Sequence, residues 1–218
     1  GGPTILYEMG LMVGATGTQV SDNVRGTGST YDTDFSSVVT VTGQHPGTVS
    51  DYDAYGRFAD NGTSSAAPLP VLITHRAFAW SAPAADRKYI IVEYVIKNTG
   101  TSTLNGLYGG IFADWDIPLY SNDKADEDLN RKMGYCWSTD QAGLFAGIKV
   151  LTNTPFNNYA IDNVTGGGGG AAAGGIANVT GTMVSTDIPV PKKKDLDKYK
   201  KTNKAGVVAM TRRNNKVL

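Results

Sequence analysis

The segment from Ile90 to Ile117, IIVEYVIKNTGTSTLNGLYGGIFADWDI, constrains the folding of this chain more than any other. Ile90, Val92, Tyr94 and Ile96 alternate with Ile91, Glu93, Val95 and Lys97, so one face of an extended strand is wholly apolar and the other turns polar toward its end. Asn98-Thr99-Gly100-Thr101-Ser102-Thr103 is turn chemistry, after which Leu104, Leu107, Tyr108, Ile111 and Phe112 resume the apolar pattern. Strands are predicted over 89–97 and 106–114, joined either as a β-hairpin or as a crossover between the sheets of a sandwich. A second run, Val71 to Trp80, reads as another strand.

Composition points the same way. The 218 residues include 27 Gly and 11 Tyr, and only 18% are charged, which is turn-rich and β-prone rather than helical. The expected fold is all-β: an antiparallel β-sandwich, immunoglobulin-like or jelly-roll-like, forming one domain over 1–191 with a basic segment at 192–218. The lone Cys136 excludes an internal disulfide, so the fold must rest on its apolar core or on metal ions. Between Tyr135 and Trp137, that cysteine reads as a small core residue. Gly166 to Gly175, GGGGGAAAGG, has no side chains to pack and reads as a flexible surface loop. It lacks the Lys-Ser/Thr ending of a phosphate-binding loop, which argues against nucleotide binding. No apolar stretch is long enough to span a bilayer.

Zero net charge hides an asymmetry. Of the 20 acidic and 20 basic residues, 18 and 10 fall in 1–191, giving −8, while 2 and 10 fall in 192–218, giving +8. The basic segment lacks aromatic residues for base stacking apart from Tyr199, so it reads as a solvated face or a contact to the acidic body rather than a nucleic-acid site.

Gly62-Thr63-Ser64-Ser65-Ala66-Ala67-Pro68 differs at one position from the Gly-Thr-Ser-Met-Ala-x-Pro pattern around the nucleophile of subtilisin-like proteases, with Ser64 as the attacking residue. Such a serine needs an imidazole base oriented by a carboxylate. The only histidines are His45, in the turn sequence His45-Pro46-Gly47, and His75, inside a predicted strand. Too little chain precedes Ser64 for an α/β protease core, so no catalytic residue is assigned and the segment reads as a polar loop. Two distant histidines and one cysteine also argue against zinc.

Calcium is the more credible ion. Asp114, Asp116, Asn122, Asp123, Asp126 and Asp128 concentrate hard oxygen ligands within fifteen residues, without the spacing of an EF-hand. Asp32, Asp34, Asp51 and Asp53 form two further Asp-x-Asp pairs, readable as ligands or as turn residues. Trp80, Trp115 and Trp137 would suit glycan stacking if exposed, or would fill the core. The three glutamates, Glu8, Glu93 and Glu127, do not make an evident glycosidase pair.

Several ordered blocks carry a family resemblance: GGPTILYEMGLMVG at the start, VSDNVRG at 20–26, VEYVIKNTGTSTLNGLYGGIFADWDI, MGYCW, LFAGIKVL and YAIDN. Together they resemble the β-rich region that follows the catalytic domain in subtilisin-like proteases exported by the type IX secretion pathway of Bacteroidetes. The resemblance implies an extracellular or cell-surface location beyond the outer membrane, and a non-catalytic accessory role. Its partners would be the remaining domains of the same polypeptide or another surface protein. The abrupt apolar runs at Ile5-Leu6-Tyr7 and at Val217-Leu218 fit the same expectation of a piece of a larger protein.

Overall fold

The computed structural model describes residues 5–16, 19–24, 32–60, 68–117, 123–128, 130–138, 144–162 and 205–212. Apart from one turn of 3-10 helix at Asp86–Lys88, every regular element among them is a β-strand, and every strand pairing is antiparallel. No helix among these residues is long and apolar enough to cross a membrane. The strands fall into two compact units, one built from Asp34–Leu104 and the other from strands before and after it.

The first unit is a four-stranded meander of β3 (Phe35–Gln44), β4 (Tyr52–Asp60), β5 (Val71–Ala79) and β6 (Ile90–Asn98). Its register sets His75 opposite Tyr94, Arg76 opposite Glu93, and Ile73 opposite Ile96. From Val92 onward β6 alternates as its sequence requires, with Val92, Tyr94 and Ile96 half-buried and Glu93, Val95 and Lys97 exposed. The most buried side chains of the sheet are Val71, Ile73 and Phe35, joined by Leu69 just before β5. Phe35 meets Phe58 edge to face with centroids 5.0 Å apart. The Arg76–Glu93 pair, 2.9 Å apart, is about half exposed on both sides, so it contributes less than about 1 kcal/mol.

The turn after β6 forms as its composition dictates. Asn98 accepts from the N–H of Gly100 and donates its amide to the carbonyl of Ser102, both at 2.8 Å, while Gly106 takes the left-handed φ of 67°. β6 does not pair with the next strand, β7 (Tyr108–Trp115), which belongs to a different sheet. The Ile90–Ile117 segment is therefore not a hairpin, since its two strands belong to separate units.

The second unit stacks two sheets. One runs β11 (Phe156–Asp162), β12 (Ala205–Arg212), β7, β1 (Leu6–Thr16), β2 (Gln19–Ser21). The other is the meander β10 (Phe145–Lys149), β9 (Met133–Ser138), β8 (Asp123–Asp128). β8 and β9 lie against β11 and β12, the two-layer arrangement of a sandwich. Between the layers sits a core of Ala113, Trp115, Ile117 and Cys136, with Leu6, Leu144, Ala146 and Ile148 packed on it. The fold is all-β and antiparallel, as the sequence predicts. The Gly166–Gly175 stretch and the basic segment, except for β12, lie outside the described residues.

Candidate functional site

Three members of the acidic set, Asp114, Asp116 and Asp128, have described side chains. Asp114, in β7 opposite Glu8, is only 5% exposed. β7 ends at Trp115, and the N–H of Asp116, the next residue, donates to the carbonyl of Ile5 at 3.1 Å. Asp128 accepts from the Arg131 N–H at 3.0 Å and from its guanidinium at 2.9 Å. These bonds, the backbone one foremost, hold its pKa below the usual carboxylate range. Asn122 lies outside the described residues, as do the side chains of Asp123 and Asp126, whose backbones are part of β8. Among the described residues, no group of three or more His, Cys, Asp or Glu is arranged to hold a metal ion.

Carboxylates elsewhere hold loops shut. At the β3–β4 connection, Asp53 Oδ2 accepts from the N–H groups of Thr48 (2.6 Å) and Val49 (2.9 Å), while Oδ1 accepts from the N–H (2.9 Å) and hydroxyl (2.6 Å) of Ser50. The Ser50 hydroxyl contributes most to a pKa far below the normal carboxylate value. Asp51 accepts from the hydroxyl of Ser81, the larger cause of its lowered pKa, and from the Ser81 N–H at 2.6 Å, which ties this loop to the chain after β5. Asp60 likewise holds the N–H of Leu69, at 2.7 Å. The Asp51-x-Asp53 pair is thus turn chemistry.

His45 stacks on Tyr52 with centroids 4.2 Å apart and donates from Nδ1 to the Asp51 carbonyl at 2.9 Å. His75 stacks on Tyr94 at 4.9 Å, and burial pushes its pKa down. Ser64 lies outside the described residues.

The three tryptophans part company. Trp115 is a core side chain, 8% exposed, because its strand face is the one that meets the second sheet. Trp80, just past β5, packs on Tyr89 with centroids 5.7 Å apart. Trp137 lies on β9, where Gly134, Cys136 and Ser138 are buried and Met133, Tyr135 and Trp137 take the opposite face. Across the register Trp137 meets Phe145 and Tyr135 meets Gly147. The rings of Tyr135, Trp137 and Phe145 form a triangle with centroid separations of 5.8, 6.2 and 6.4 Å, and Phe145 is 60% exposed.

Only glycine fits beside Tyr135, since a Cβ on Gly147 would come within 2.5 Å of the Gly134 carbonyl and 2.7 Å of Tyr135 Cβ. The sequence reading named Trp137 but not Tyr135 or Phe145. The alternation Tyr135-Cys136-Trp137 already places two rings on one face; adding Phe145 requires the β9–β10 register. No protein-family model, curated protein or solved structure matches this chain.

Proposed function

We propose that the chain is a non-catalytic accessory β-sandwich module of a secreted or cell-surface bacterial protein, of the kind that follows the catalytic domain of type IX exported subtilisin-like proteases. One observation carries this reading: Asp51, Asp53, Asp60 and Asp128 spend carboxylate oxygens on backbone N–H groups, fixing loops rather than facing a reacting group. Neighbouring domains of the same polypeptide, or another surface protein, are the partners this role calls for. Calcium held by Asp114, Asp116, Asn122, Asp123 and Asp126 would add to it, and is read by a fall in Tm on adding excess chelator.

Two measurements test the proposal. A fluorophosphonate probe applied to the 218-residue chain leaves Ser64 unlabelled. Deleting the module from the parent protein lowers export or Tm and leaves turnover per active site unchanged. Labelling that vanishes in Ser64→Ala, or turnover lost while export is intact, would overturn it.

A further inference from the structure

We infer that the outer face of the three-stranded sheet is a carbohydrate-binding site, where Tyr135, Trp137 and Phe145 stack on the pyranose rings of a soluble glycan chain. The site goes beyond the accessory role and does not depend on it. β9 and β10 turn Cys136, Ala146 and Ile148 to the core, so the three rings gather on the face the core does not use. A sugar ring offers apolar C–H faces and polar hydroxyl edges, which an aromatic platform rimmed by hydrogen-bonding groups matches. Lys149, exposed and two positions beyond Gly147 on the same face of β10, supplies donors for the hydroxyls.

Geometry chooses the ligand class. The ring triangle, 5.8 to 6.4 Å on a side, has room for one or two pyranose rings. Its planes are inclined to one another by 32–56°, which suits a single chain that turns between residues and not a flat crystalline polysaccharide. A protein partner is the poorer match. Three rings of about 150–250 Å² each, partly covering one another, offer well under the roughly 800 Å² per side of a stable protein interface.

The test is affinity electrophoresis of the full chain through gels containing xylan, laminarin, mannan, dextran or hydroxyethylcellulose. At least one polymer should retard it, Trp137→Ala and Phe145→Ala should each weaken retardation at least tenfold, and Trp80→Ala should leave it unchanged. Continued protection of the buried Cys136 thiol reports that each variant is folded; if Trp137→Ala fails that check, the 60%-exposed Phe145 decides the matter. Migration unaffected by all five polymers, or retardation that survives Phe145→Ala, would overturn the site. So would sedimentation showing a dimer that Phe145→Ala dissolves while no glycan binds, since the patch would then be a protein contact.

Discussion

Val24 occupies the space that a side chain on Gly10 would need: a Cβ built on Gly10 falls on Cγ1 of Val24. Val24 is 1% exposed and has little room to yield. Gly10→Ala should therefore cost about 1–3 kcal/mol, read as a lower Tm, and part of that loss should return when Val24→Ala is added. Gly43→Ala, on the edge strand β3 with open space around it, is the control and should leave Tm nearly unchanged.

The Asp53 knot makes the four-stranded sheet acid-sensitive. Its folded pKa is depressed, so the unfolded chain binds the proton first as pH falls. The contribution is whole above the unfolded carboxyl value of about 3.9 and is lost progressively below it. Asp53→Asn should lower Tm at pH 7 and flatten its decline below pH 4; an equal decline in both proteins would refute the assignment.

His75 adds a second, higher step. Burial lowers its folded pKa, so the neutral imidazole is favoured in the folded state and protonation favours unfolding. Stability should fall as pH drops below about 6.5, the unfolded value. His75→Phe, which keeps an aromatic ring against Tyr94, should remove this step and leave the one below pH 4 in place.

The indole N–H of Trp115 is buried and finds no hydrogen-bond partner among the described residues. Trp115→Phe removes that unmet donor along with some packing, so its cost should stay below about 1.5 kcal/mol. Trp115→Ala removes the ring from the core and should cost about 3–5 kcal/mol. Denaturant titration of both variants measures the difference.

Cys136, on the core-facing side of β9, is fully buried. A thiol reagent should leave it unmodified in the native protein and react once denaturant unfolds the second unit. Rapid labelling of the folded chain would contradict the sheet-on-sheet packing.

Strand positions and turn chemistry were legible in the sequence because they are local. The predicted strands over 89–97 and 106–114 appear as Ile90–Asn98 and Tyr108–Trp115, and Asn98 closes the turn its side chain suits. Alternation fixes which residues share a face, so the common face of Tyr135 and Trp137, and the placing of Cys136 on the opposite one, follow from spacing alone. Pairing partners are not local. Whether β6 would meet β7 depended on strands from both ends of the chain, since β1 and β12 take the two edges of β7. The same nonlocal choice turned Trp115 inward, set Glu8 opposite Asp114, and brought Phe145 beside Trp137. Sequence periodicity assigns a residue to a face; only the tertiary register decides whether that face meets another sheet or stays open to solvent.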